Sequence, residues 1–252
     1  MDARAVLVTG GAKRLGARIA RRLAAGGWRV VVHHHRSGDE AHAMAAELGG
    51  VSVAADLADD EAVGGVIEDA RQAVGGAIHA LVNSASLFEY DRPPDVSGEM
   101  LGRLARVNYA APVRLACELA GQADLGEGAV VNLLDQKVAN LNPDFFSYTS
   151  GKLALEGATR MLAQALGPAV RVNAVSPGLT LPSGDQSAGE FAAASVKNLL
   201  RRPVGAGAVA DAVAFLLEAR GVTGQNLFVD CGQRFLPRGG DVMFEDREKV
   251  GG

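Results

Sequence analysis

"TGGAKRLGARIA", residues 9–20, decides how the chain is read: a glycine-rich turn follows a short apolar run and opens straight into a stretch with helical spacing. "AVLVTG" (5–10) is short and β-branched enough for a buried strand, and Leu15, Ile19 and Leu23 then recur at helical intervals. Gly10, Gly11 and Gly16 allow backbone amides to approach a pyrophosphate, while the helix N-terminus supplies partial positive charge. Five residues, Lys13 and Arg14 among them, separate Gly10 from Gly16, so the turn departs from the G-x-G-x-x-G pattern. Taken alone, such a turn also suits tight packing.

Working outward, the same rhythm repeats. "RVVVHH" (29–34), "VSVAA" (51–55), "HALVNSA" (79–85), "AVVNLL" (129–134), "VRVNAVS" (170–176) and "NLFVD" (226–230) read as buried strands, with helical patterns between them such as Val63, Val66, Ile67 and Ala70. This alternation predicts a single-domain α/β Rossmann fold: a doubly wound, seven-stranded parallel sheet with helices on both faces. At 252 residues, one such domain accounts for the chain, with residues 1–236 as the folded unit and 237–252 as a polar, partly disordered tail. Residues 177–205, punctuated by Pro and Gly around a short helical centre, read as a mobile loop over a site.

Composition narrows the function classes. A net charge of −4 gives no electrostatic reason to bind nucleic acid, and no apolar run reaches the roughly 20 residues that a bilayer helix needs. Small molecules are therefore the expected partners. Cys117 and Cys231 lie far apart in apolar stretches, which predicts two buried free thiols, a reducing compartment and, with no room for a signal peptide before the first strand, a cytoplasmic location. His33, His34 and His35 are consecutive on a strand, so their side chains alternate faces and no metal site is expected. Asp56, closing "VAAD" after the third strand, reads equally as a helix cap or a ligand contact.

A second segment carries the chemistry: "NLLDQKVANLNPDFFSYTSGK", residues 132–152. Tyr148 and Lys152 lie one helical turn apart and share a face, so a neighbouring ammonium is expected to lower the phenol toward working pH. The Tyr-x-x-x-Lys spacing by itself occurs in many helices. Asp135 is the odd residue, since a carboxyl group at the mouth of a sheet is costly unless paired, hydrated or used.

"TGGAKRLG" together with "NSAS" (83–86) and Tyr148-x-x-x-Lys152 resembles the short-chain dehydrogenase/reductase family over nearly the whole chain, up to "TGQNLFVDCG" (223–232). The resemblance implies a nicotinamide cofactor bound by Gly10, Lys13, Arg14, Leu15, Gly16, His35, Arg36, Ser37, Asp56, Leu57, Asn83, Ser84, Ala85, Tyr148, Lys152, Pro177 and Gly178. Where NAD-dependent members carry an acid after the second strand, this chain has "HHHRS"; Arg36 and Ser37, with Arg14, suit a 2′-phosphate, so NADPH is expected. Asn108 in "RVNYAAP" matches the family's residue at a helix kink beside the proton relay, and helices at 99–123 and 147–166 match those that build its homotetramer. "VDCGQ" (229–233) departs from the usual Gly-Gly near the cofactor.

Most members of the family place a serine where Asp135 stands, because a hydroxyl can donate to a substrate carbonyl. An ionised Asp cannot, and a carboxyl group suits a nitrogen-rich heterocycle better. With "HHHRS", "TGGAKRLG", "NSAS", Phe88 and "SPGLTLP" (176–182), the chain resembles the pteridine reductase branch, which includes bacterial dihydromonapterin reductases. That resemblance implies an Asp135, Tyr148 and Lys152 triad, a pterin stacked on Phe88, and substrate contacts from Arg14, Ser86, Asp135 and Tyr148. The competing readings are a carbonyl reductase, such as a 3-oxoacyl-acyl-carrier-protein reductase, which the missing serine disfavours, and a non-catalytic NADP-binding regulator, which would not need Tyr148.

Overall fold

The computed structural model describes residues 4–183 and 186–245. Seven strands, β1 (Ala5–Val8), β2 (Arg29–His34), β3 (Val51–Ala54), β4 (Ile78–Asn83), β5 (Gly128–Leu133), β6 (Val170–Pro177) and β7 (Asn226–Val229), form one parallel sheet in the order β3-β2-β1-β4-β5-β6-β7. The order reverses direction between β1 and β4, and in doubly wound sheets ligands bind beyond the strand ends at that point. The helices are α1 (Arg14–Ala25), α2 (Gly38–Leu48), α3 (Asp60–Val74), α4 (Gly98–Ala105), α5 (Ala111–Ala120), α6 (Phe146–Leu166), α7 (Ala188–Ser195) and α8 (Ala206–Glu218).

Alternation along each strand divides the core in two. Val6, Val8, Val30, Val32, Ala80 and Val82 pack with Ile19 and Leu23 of α1 and Val213 and Leu216 of α8. Leu7, Val31, Leu81 and Val130 face the other way, onto Val66 and Ile67 of α3, Leu115 of α5 and Leu162 of α6. Successive side chains of a strand point to opposite faces, so near-continuous apolar strands require a helical layer on each side, as the sequence implies.

Two expectations are corrected. Cys117 is exposed and Cys231 half-buried, rather than both being buried. α5 turns Leu115, Ala116 and Leu119 inward, and the 100° step of a helix carries Cys117 off that stripe. Residues 237–245, placed at the level of sequence in a partly disordered tail, are folded: a 3₁₀ turn at Val242–Phe244 buries Val242 and Met243. Arg238 and Lys197 both pair with Glu245, anchoring this segment beside α7. Residues 246–252 of the expected tail lie outside the described residues. Within the 177–205 loop the short helical centre is α7, started by a reciprocal Ser187–Glu190 capping box.

Candidate active site

A cleft of about 840 Å³ opens at the carboxyl ends of the strands, running from the glycine turn to Tyr148. The glycines are structural requirements of this turn. A Cβ on Gly16 would lie 2.2 Å from the Gly10 carbonyl oxygen, and Gly10 has φ +62°. Arg14 also adopts a left-handed φ of 52°, and its guanidinium donates to the Pro182 carbonyl at 2.6 Å, linking the turn to the 177–205 loop. His33 Nδ1 accepts from the Gly10 amide at 3.2 Å, and burial lowers its pKa to about 4, so the neutral ring supports the turn.

At this end Lys13, Arg14, His35, Arg36 and Ser37 line the wall together. Ser37 stands at the N-cap of α2 with no side-chain cap bond, leaving its hydroxyl beside a helix N-terminus. Lys13 pairs with Glu40 at 2.5 Å. Asp56 does not cap α3, a task taken by Asp59; it accepts from the Ala58 amide at 2.9 Å and lies 3.7 Å from His35 Nε2. Glycines that exclude any Cβ, a free helix N-terminus and clustered cations fit a phosphorylated dinucleotide.

Leu15, Gly16, Leu57, Ser84, Ala85, Pro177 and Gly178 also line the cleft, but Asn83 and Asn108 do not. Asn83 is buried and donates to Asn132 Oδ1 at 2.8 Å, its register partner on β5; Asn132 in turn donates to Thr159 Oγ1 on α6. Asn108 acts through the backbone. It sits in a π-helical turn (Arg106–Ala110) joining α4 to α5, where Nδ2 donates to the Leu87 carbonyl at 2.9 Å and Oδ1 accepts from the Leu87 amide at 3.1 Å and the Ser86 hydroxyl at 2.8 Å. α6 approaches this turn closely at Gly151, where an added Cβ would stand 3.3 Å from that of Asn108, a tight contact.

At the chemical end, Tyr148 donates its hydroxyl to Asp135 Oδ2 at 3.0 Å. Asp135 begins a 3₁₀ turn (Gln136–Ala139), and its Oδ1 accepts from the Lys137 amide at 2.9 Å. Lys152 Nζ donates to the Leu133 carbonyl at 2.7 Å. Phe88 stacks on Phe145 with centroids 4.1 Å apart and meets Tyr148 edge-on at 4.8 Å, yet remains 40% exposed at the cleft. Ser86, Phe88, Asp135 and Tyr148 thus face one space.

Electrostatics here correct one expectation. The phenol is not lowered: burial and the adjacent Asp135 push Tyr148 well above its ordinary value. Burial also raises Asp135, opposed by the Lys137 amide and ammonium, and lowers Lys152 to about 8. In the protein alone the phenol holds its proton and aims it at the carboxyl group.

Sequence reasoning missed Lys137, Gln233, Asp241, Val242 and Met243, all of which line the cleft. Lys137 is within the quoted 132–152 segment, two residues from Asp135, and was recoverable as a basic neighbour. The C-terminal residues lie too far along the chain for any local pattern to place them here.

The chain matches a family model described as "Enoyl-(Acyl carrier protein) reductase" over residues 10–234. NADPH-dependent aldehyde reductase 2, chloroplastic, of Arabidopsis thaliana is 34% identical over 69% of this chain and 71% of its own. Dihydromonapterin reductase of Enterobacter sp. (strain 638) is 27% identical, covering 91% and 96%. The crystal structure of FolM Alternative dihydrofolate reductase 1 from Brucella suis in complex with NADP superposes with a TM-score of 0.89 at 40% identity, covering 93% and 96%. From the glycine turn to the Tyr148–Lys152 pair, and across these relatives, the chain belongs to the short-chain dehydrogenase/reductase family.

Proposed function

We propose that the protein is an NADPH-dependent oxidoreductase that reduces a dihydropterin of the dihydrobiopterin or dihydromonapterin type. The observation that carries this reading is the 3.0 Å bond from the Tyr148 hydroxyl to the Asp135 carboxyl group at a position where a carbonyl reductase needs a hydroxyl donor. Relatives named dihydromonapterin reductase and FolM alternative dihydrofolate reductase support it, as do the cations beside Ser37 for the choice of NADPH.

NADPH supplies the hydride when bound. The chain's own residues do the rest. Phe88, backed by Phe145, offers an aromatic face for a flat ring. Asp135 accepts from an amino group or, when protonated, passes its proton to a ring nitrogen, and the Tyr148 hydroxyl, donating to it, steadies the carboxylate left behind until water returns the proton. Lys152, fixed by the Leu133 carbonyl, would hold the nicotinamide ribose of a bound NADPH. Arg14 links the glycine turn to the 177–205 loop.

The test is NADPH oxidation with dihydrobiopterin or dihydromonapterin beside a β-ketoacyl thioester. Turnover of the pterins supports the reading, and turnover of the thioester alone rejects it. A cytoplasmic homotetramer belongs to the same proposal, supported by two free cysteines and by exposed Leu101, Tyr109 and Met161 on the α4–α5 and α6 surfaces; light scattering in solution tests the assembly.

A further inference from the structure

The folded C-terminal segment contributes a carboxylate to the reactive end of the cleft. Asp241 Oδ2 accepts from Lys137 Nζ at 2.9 Å, and both side chains are largely buried, at 3% and 13% exposure for Lys137 and Asp241. Asp241 Oδ1 caps the 3₁₀ turn by accepting from the Met243 amide, and the Asp241 amide donates to Asp144 Oδ2 at 2.7 Å. Asp144 is itself buried and held by Arg92 and Tyr90, so the segment is locked from two sides. Lys137 has a second ammonium bond, to Asn142 Oδ1 at 3.0 Å, while its backbone amide holds Asp135 Oδ1.

We propose that Lys137 and Asp241 are positioning residues for the Asp135 carboxyl group: the buried ion pair with the C-terminal segment holds the turn whose Lys137 amide bonds this acid. The proposal rests on the role given to Asp135 under the proposed function. A buried ammonium tied to a buried carboxylate is a paired charge, which avoids the cost of an isolated one and leaves a defined field at its neighbours. Among the described residues, four titratable groups face Asp135: Lys137 and Asp241 from this pair, Tyr148 from α6, and Lys152 one turn further on. Lys137 favours the ionised carboxylate and Asp241 opposes it. The two members of one ion pair therefore have opposite effects on Asp135, an effect that mere support of the fold cannot mimic. Val242 and Met243 follow directly and wall the same space, so substrate fit and acid chemistry depend on one short stretch.

The test reads the Asp135 ionisation directly, by ¹³C NMR of the full-length protein labelled at aspartate side-chain carboxyls, with the signal assigned by its loss in Asp135→Asn. Asp241→Asn keeps the shape and one of the two acceptor contacts while removing the charge, and should lower the Asp135 midpoint by about half a unit or more. Lys137→Met should raise it by a similar amount, and Lys137→Arg should leave it near the parental value. If Lys137→Met does not fold, Asp241→Asn and Lys137→Arg carry the comparison. An unmoved midpoint in Asp241→Asn, or shifts of the same sign in Asp241→Asn and Lys137→Met, overturns the proposal. No pterin turnover enters the measurement, so a failure of the substrate assignment would be visible separately in the kinetic assay.

Discussion

Tyr148 donates to Asp135 at 3.0 Å, from the first turn of α6 to the residue two positions beyond β5. A phenol raised by burial next to a carboxyl group raised by burial forms a pair that retains a proton across neutral pH, in contrast to a serine and phenol, which both donate toward a carbonyl. The chemistry such a pair favours is protonation of a basic atom while hydride arrives elsewhere on the same ring.

Replacing the carboxyl group tests this most directly. Asp135→Ser should lower kcat/KM for dihydropterin reduction by tenfold to a hundredfold, about 1.4–2.8 kcal/mol of lost stabilisation. The NADPH dissociation constant should stay within about twofold, because the turn residues and the cations at the other end are untouched. Parallel stopped-flow and fluorescence titrations would separate the two. A variant reducing pterins at the parental rate would remove the acid from the mechanism.

Tyr148→Phe should fold normally, since the ring keeps its edge contact with Phe88, and should lose about 10²–10⁴-fold in kcat with either a pterin or a carbonyl substrate. Steady-state assays alongside circular dichroism check both halves of that expectation.

The pH dependence follows from Lys152. Burial holds its ammonium at about 8, below the ordinary 10.5, so the charge is present below that value and lost as pH rises through it. Because kcat/KM reports groups of the free enzyme, kcat/KM for NADPH should fall above about pH 8, and Lys152→Met should abolish that limb along with most activity. The same depression means that the protonated lysine costs stability at neutral pH. That cost diminishes as pH rises from about 8 toward 10.5, where the unfolded chain still binds the proton.

Much of this was legible before the fold was known, and for identifiable reasons. The seven strands follow from β-branched runs between glycine turns, and Gly10 and Gly16 announce themselves because no other residue fits their approach. Asp135 stood out as an acid at the end of a buried strand. Lys137 and Asp241 did not, because their meaning lies in a contact across 104 residues that no periodicity encodes. The phenol's ionisation was misjudged for a related reason: proximity to Lys152 is visible in the spacing, whereas the burial that dominates is a property of the assembled site.

At the cofactor end, Arg36→Ala should weaken NADPH binding about ten- to a hundredfold and leave NADH nearly unchanged, the loss of one charge-assisted contact being worth about 1.5–3 kcal/mol. Arg36 is exposed and borders the cleft beside Ser37, so the substitution removes charge without opening the core. Calorimetric titration with both nucleotides provides the comparison; equal weakening of the two would mean that Arg36 does not read the 2′-phosphate.

Asn108 offers a prediction on stability and activity together. Its side chain satisfies both the amide and the carbonyl of Leu87 as well as the Ser86 hydroxyl, inside a π-helical turn that is fully buried at this residue. Asn108→Ala leaves two backbone groups without their partners, at about 1–3 kcal/mol for each one that water does not reach. The denaturant midpoint should fall correspondingly with little change in slope. The released stretch carries Ser86 and Phe88, the groups facing Tyr148, so kcat should drop more than NADPH affinity. Asn108→Asp keeps the acceptor for Leu87 and Ser86 but cannot donate to the Leu87 carbonyl, and should lie between the two. Finding Asn108→Ala as stable as the parent, with unchanged kcat, would show that Leu87 is held by other contacts and that the turn does not position the substrate wall.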